Sequence, residues 1–261
     1  MTVLSADNLT IGYGARRIAG GITLRLTAGS VTCLLGPNGV GKTTLFKTLL
    51  GLLPPLGGTV SLGGDDLKAL TRAGVARRVA YVPQVYQSDF AYTVLDLVVM
   101  GRTAYLGAFA SPGRGDYTVA IEALAALGIE DLADRDANRI SGGQRQLALI
   151  ARALAQQAGA VIMDEPTASL DLANRLMVLG RIAALAKDGL AVLVATHEPE
   201  QAFAVADRAA ILGHGDRFVT GPVGSVLTPD ELTRLYGVAL TVERTPSGRL
   251  VVTPAQGAGL G

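Results

Sequence analysis

The sequence predicts an α/β protein on a mainly parallel sheet, with an antiparallel β segment near its N-terminus and an inserted helical subdomain. Three observations predict it. Short, unbroken apolar runs at residues 31–35, 161–163 and 190–195 are each followed by polar residues and then a helical pattern, which is how strands covered on both faces read. Two earlier stretches, residues 9–13 and 22–26, alternate apolar and polar side chains around Gly-rich turns, the mark of an antiparallel edge with one wet face. Between Gln84 and Arg139 strand signals stop and helical ones take over.

Residues 94–100 and 116–127 are the candidate helices there, separated by the loop Ser111-Pro112-Gly113-Arg114-Gly115. Asp116 is placed to cap the second helix, with Ile121, Leu124 and Leu127 on one face. A third helix is expected over residues 145–158, with a stripe of Leu147, Ile150 and Leu154. The inserted subdomain is expected over about 85–155 within an ATPase-sized unit of residues 1–237; residues 238–261 are polar and form an extension, its Gly-rich end frayed. No period of solenoid or propeller length is present.

Composition excludes several classes. With 261 residues and 49% hydrophobic content the chain can bury a sizeable core. Charged residues make up 17%, below the ~25% usual for soluble domains, and mean hydropathy is +0.37, so part of the surface is expected to be covered by a partner. The longest apolar runs fall far short of the ~18 residues of a membrane span, and residues 1–10 carry no basic or apolar signal region, so neither a span nor a cleavable export signal is expected. A net charge of +1 supplies no field for a polyanion, which argues against nucleic acid. The single cysteine, Cys33, lies in an apolar run and reads as a small core residue in a reducing compartment. Glycine is the outlier, 33 residues where ~7% is average, and its clusters mark close approaches of backbone to ligand.

Gly36-Pro37-Asn38-Gly39-Val40-Gly41-Lys42-Thr43 lies between an apolar strand ending at Leu35 and a helix whose Leu45, Leu49 and Leu52 are read on one face. The glycines let successive N–H groups curl toward phosphate oxygens, Lys42 adds a point charge, the helix start adds its dipole, and the Thr43 hydroxyl can ligate Mg²⁺. A plain Gly-rich turn would explain the glycines but not Lys42, one of only four lysines. The fold expected is thus a P-loop NTPase core. Residues 160–165 form an apolar strand ending in Asp164 and Glu165, and ligands of open parallel sheets sit at such strand ends. Asp164 would hold the metal and Glu165 would orient or deprotonate the attacking water. Ser141-Gly142-Gly143-Gln144 opens another helix with bare N–H groups, either a simple N-cap or a second anion site.

Taken together, these motifs resemble the nucleotide-binding subunit of ATP-binding cassette (ABC) transporters, over roughly residues 3–236. In the family's order, Gly36 to Thr43 resembles the Walker A motif, Gln84 the Q-loop, Ile140 to Gln144 the signature (with Ile where Leu is usual), and Asp164-Glu165 the end of Walker B. Ala168-Ser169-Leu170-Asp171 resembles the D-loop and His197 the switch histidine. The resemblance implies ATP and Mg²⁺ as ligands, Mg²⁺ held by Thr43, Gln84 and Asp164. It implies Glu165, His197 and Gln84 as catalytic residues, and nucleotide contacts from Tyr13, residues 36–43, Thr44 and Asp171. It also implies a head-to-tail dimer in which Ser141, Gly142, Gly143 and Gln144 of one chain cap the γ-phosphate held by the other. Tyr13 would stack on adenine, although an aromatic at a strand end can equally be core or rim.

Seven of the twelve aromatic residues fall between 81 and 117: Tyr81, Tyr86, Phe90, Tyr92, Tyr105, Phe109 and Tyr117. Some are expected to dock a membrane permease and the rest to pack the subdomain's own core. Thr93 to Arg102, Tyr105-Leu106-Gly107, residues 227–232 and Tyr236-Gly237-Val238 resemble the subfamily serving iron-chelate, haem, cobalamin and molybdate importers. That implies permease subunits and, indirectly, a solute-binding protein as partners, and a place on the inner face of the cell membrane. A soluble role such as iron–sulfur cluster assembly is the alternative.

Overall fold

The structure, a computed structural model, describes residues 1–84, 86, 90–107 and 109–255; the expected frayed end at 256–261 lies outside them. The chain opens with two long strands, β1 (Thr2–Tyr13) and β2 (Arg16–Thr27), paired antiparallel over most of their length. Then come β3 (Val31–Leu35), α1 (Lys42–Leu49), β4 (Gly57–Leu62), β5 (Asp65–Asp66), α2 (Arg72–Ala76) and β6 (Val79–Val82). The helical segment holds α3 (Val94–Val99), a 3-10 turn over Met100–Tyr105, α4 (Arg114–Leu127) and α5 (Gly142–Ala155). The chain returns through β7 (Ala160–Asp164), α6 (Leu172–Lys187), β8 (Ala191–Thr196), α7 (Pro199–Val205), β9 (Arg208–Leu212) and β10 (Phe218–Pro222). It closes with α8 (Val223–Val226), α9 (Pro229–Tyr236) and the hairpin β11 (Leu240–Arg244) and β12 (Leu250–Pro254).

The central sheet runs β10-β9-β3-β8-β7-β6, parallel except where β10 pairs with β9, and a separate antiparallel sheet runs β2-β1-β4-β5. β3, β7 and β8 are buried at every position, as their unbroken apolar runs require. Their alternate side chains face opposite ways. Leu34, Ile162 and Leu193 join a core with Leu45 and Phe46 of α1 and the N-terminal sheet, whereas Cys33, Met163 and Val194 join one with α5 and the helices beyond it. Burial pushes the Cys33 thiol up to about 12, so it is an inert core residue.

Several expectations are corrected. Gly113, not Asp116, is the N-cap of α4; Asp116 stands three residues in and its Oδ2 accepts from the Gly113 N–H at 2.9 Å. Ile121 points outward, because the buried face of α4 is Ala120, Ala123, Leu124 and Leu127. Leu52 lies beyond the end of α1 and is 63% exposed. Residues after 237 are not merely a polar tail: Val242 of β11 and Val252 of β12 pack against the main core.

Candidate functional site

The phosphate loop leaves β3 and turns into α1 through Gly41, whose φ of 114° no side-chain-bearing residue adopts cheaply. Lys42 is buried, and its Nζ donates to the carbonyl of Gly36 at 2.7 Å. It lies 3.6 Å from Glu165 Oε1, an ion pair whose side chains are only 8% and 11% exposed. From the end of β7, Asp164 Oδ2 accepts from the Thr43 hydroxyl at 3.2 Å and from the Tyr81 phenol at 3.3 Å. Burial raises the Asp164 carboxyl above its ordinary range, against the lowering effect of the Thr43 hydrogen bond. The Tyr81 phenol is pushed up to about 12 by burial and then by the Asp164 charge, so it remains a donor.

Glu165 has a left-handed backbone, φ 47°, held by its N–H on Ala195 O and its carbonyl under Ala168 N. Such a conformation costs about 1–3 kcal/mol in a side-chain-bearing residue, and here it aims the carboxylate at three neighbours. Besides Lys42, Gln84 Nε2 donates to Glu165 Oε2 at 3.0 Å and His197 Nδ1 lies 3.5 Å from the same oxygen. A cavity of about 360 Å³ is lined by Pro37, Asn38, Gly39, Gly41, residues 42–44, Gln84, Asp164 and Glu165.

Not every expected residue lines that cavity. Gly36 takes part through its carbonyl on Lys42, and Val40 is a core residue. Tyr13 ends β1 and is 45% exposed. Ser141 is an N-cap: its hydroxyl accepts from Gln144 N at 3.2 Å while Gln144 Oε1 accepts from Ser141 N at 3.0 Å. Ser141 and Gly142 are exposed and do not line the phosphate cavity of their own chain; Gly142 lines an adjoining pocket that shares Gln84 and Glu165 with it. Gly143 is buried flush against α6, where a Cβ would meet Asn174 Oδ1 at 2.3 Å. Asp171 caps α6 through Asn174 N and also binds its Nδ2.

The aromatic cluster divides. Tyr105 packs inward: its ring lies under the Arg102 guanidinium at 3.9 Å and its hydroxyl donates to Gln156 O. Phe90 and Phe109 are exposed. Sequence reasoning missed a cavity of about 330 Å³ lined by Leu52, Leu70, Val75, Tyr81, Arg152 and Gln156, because its walls come from segments far apart in the chain. It also missed the anchors of the His197 loop, Arg175 on Glu198 at 2.7 Å and the Tyr236 hydroxyl on His197 O at 2.7 Å. No local motif announces such contacts.

A phosphate loop after β3, a histidine just past the neighbouring strand β8 and a pair of carboxylates at the end of β7, the strand beyond it, define a P-loop nucleotide hydrolase. The ABC transporter family matches residues 19–168, and the chain belongs to that family. It is 42% identical to an uncharacterized ABC transporter ATP-binding protein of Haemophilus influenzae, covering 90% of this chain and 89% of the relative. The molybdate import ATP-binding protein MolC of Haemophilus influenzae is 38% identical over 89% of this chain and 87% of its own. A solved metal-chelate type ABC transporter, in an inward-facing conformation, superposes with TM-score 0.86 and 34% identity over 98% of this chain and 99% of its own.

Proposed function

We propose that this chain hydrolyses ATP to drive import of a metal-containing solute through a separate membrane permease. The observation that carries the reading is the convergence of Lys42, Gln84 and His197 on Glu165 at one end of the parallel sheet. Within the expected set of iron chelates, haem, cobalamin and molybdate, the name of the molybdate relative supports molybdate and that of the metal-chelate transporter supports a metal chelate. Both are transport proteins, which favours import over soluble iron–sulfur assembly. Among the described residues no helix is long and apolar enough to cross a membrane, in keeping with a separate permease.

Thr43 and Asp164 present hard oxygens 3.2 Å apart, a donor set that fits Mg²⁺, with Gln84 beside them on the cavity wall. Bound with ATP, Mg²⁺ would neutralise charge on the β- and γ-phosphates. In this reading, residues 38–44 wrap the phosphates with backbone N–H groups, Gly36 and Pro37 shape the turn before them, and Lys42 moves its charge from Glu165 to the phosphates. Glu165, then free of that ion pair, accepts the proton of the attacking water; Gln84 and His197 hold the water and γ-phosphate in line. Tyr13 stacks on adenine at the rim, and the Ser141 to Gln144 helix start, exposed at Ser141 and Gly142, faces a second copy's γ-phosphate, close to Asp171. Residues 1–237 form the ATPase unit, with the helical subdomain of about 85–155 inserted in it. The permease docks on the groove beside Leu52 and Tyr81 and on Phe109.

Glu165→Gln tests the reading. It keeps shape and hydrogen bonding but not basicity, so ATP binding should remain nearly intact while turnover falls by ~10² or more. Normal turnover in the purified variant overturns it.

A further inference from the structure

The loop that carries His197 lies between the end of β8 and the start of α7, in no regular element. Its ring is half-exposed, so packing alone does not fix it. What holds the loop comes from elsewhere. On one side Arg175 of α6 grips the Glu198 carboxylate at 2.7 Å. Underneath, Gln201 Oε1 accepts from the Thr196 hydroxyl at 3.0 Å and the Thr167 hydroxyl at 2.9 Å, all three side chains buried. From the other side the Tyr236 hydroxyl, at the last turn of α9, donates to the His197 carbonyl at 2.7 Å. Gly237 then ends α9 with a left-handed cap, and the chain runs into the hairpin, whose Val252 N–H donates to Glu200 Oε1 at 3.2 Å.

We infer that Tyr236 is a positioning residue for His197, and that the C-terminal hairpin braces the loop carrying that ring beside Glu165. The argument is geometric. Rotating the peptide after His197 swings the imidazole, and within that loop the only partner for the His197 carbonyl among the described residues is the Tyr236 hydroxyl. Glu200 of α7 is tied to the hairpin by the Val252 N–H, and α9, which carries Tyr236, is tied to it by the Leu240 N–H on the Thr233 hydroxyl at 2.9 Å, so the brace rests on the C-terminal segment. The inference rests on the proposed contact of His197 with the γ-phosphate. It adds a route by which the C-terminal segment sets the alignment of that contact.

The test is a double-mutant cycle on the full chain with Tyr236→Phe and His197→Ala, reading ATP turnover, KM for ATP, melting temperature and amide hydrogen exchange. Tyr236→Phe keeps the ring and loses only the hydroxyl. Turnover should fall by roughly 3- to 10-fold, the scale of one neutral hydrogen bond, with KM within about twofold and the melting temperature unchanged. Exchange at residues 197–198 should quicken, which reports the loop without reference to catalysis. In the His197→Ala background the further loss from Tyr236→Phe should vanish. An equal loss in both backgrounds, or no loss in the wild type, overturns the positioning role. If His197→Ala itself leaves turnover unchanged, the γ-phosphate role of His197 fails. Quickened exchange in Tyr236→Phe would then still support the brace, and unchanged exchange would overturn it.

Discussion

Gly143→Ala tests the packing between the helix start at Ser141 and the helix that follows Asp171. The new methyl would lie 2.3 Å from Asn174 Oδ1, 2.5 Å from its Cγ and 2.9 Å from its Cβ. The amide can swing aside, at the cost of its 2.9 Å bond to Asp171 Oδ2, but Cβ is fixed by α6 and cannot. The two helices must therefore part by a few tenths of an ångström. Overpacking of this kind costs about 1–3 kcal/mol, the lost hydrogen bond about 1 kcal/mol, and the better helix propensity of Ala returns about 1 kcal/mol. The net expectation is destabilisation of about 1–3 kcal/mol. Asn174→Ala removes the obstructing amide while leaving the backbone N–H of residue 174 on Asp171 Oδ1. In that background Gly143→Ala should cost less, because the 2.3 Å and 2.5 Å clashes with the amide are gone and only the 2.9 Å approach to Cβ remains. Denaturant unfolding of the four proteins reads the cycle. Additivity within about 0.5 kcal/mol would refute the contact as the reason glycine is needed.

Asp116 should make stability pH-dependent. Its carboxyl is held below the ordinary value of 3.8 chiefly by the Gly113 N–H and then by Arg102. Its contribution is therefore present above that value and lost as pH falls through the lowered one. Asp116→Asn should melt earlier than wild type at neutral pH, with the gap closing in acid; a constant gap contradicts this. Mixing tests the shared site: Lys42→Ala and Ser141→Arg homodimers should both fail to close on ATP, and their heterodimer, with one intact site, should regain closure by crosslinking. Failure despite subunit exchange would confine the site to one chain. Leu52→Glu should reduce co-purification with the permease at unchanged melting temperature and ATP binding; undiminished co-purification would remove the groove from the docking surface.

The α/β core was legible because β3, β7 and β8 are buried on both faces, and nothing else gives unbroken apolar runs ended by Gly36, Asp164 and His197. Lys42, Asp164 and Glu165 were legible for a related reason, since phosphate chemistry needs those groups at the strand ends. β4, β9 and β10 are as long as β3 and β7, but Gly, Ser, Thr, Arg or Pro interrupt or shorten their apolar runs, and β6 spans only four residues, so none left a comparable signal. The outward turn of Ile121 was lost because small alanines, Ala120 and Ala123, fill the buried face of α4, and a pattern weighted to large side chains overlooks them. Tyr81 was grouped with the docking aromatics by position. That it also touches Asp164 follows from strand register, with Tyr81 opposite Ile162, and register belongs to the fold.

Lys42, Glu165 and His197 share one support. The first follows the loop leaving β3, the others stand just past β7 and β8, and these three strands are adjacent in the sheet. Their mutual distances depend on strand register, which five residue pairings between β3 and β8 and five between β7 and β8 hold fixed. The helices of the inserted segment pack against one face of that sheet, where α5 shares a core with Cys33, Met163 and Val194. Ser141, the N-cap of α5, is placed by that helix packing and not by strand register. Strand register thus fixes the spacing of the three side chains, and helix packing separately fixes where Ser141 stands.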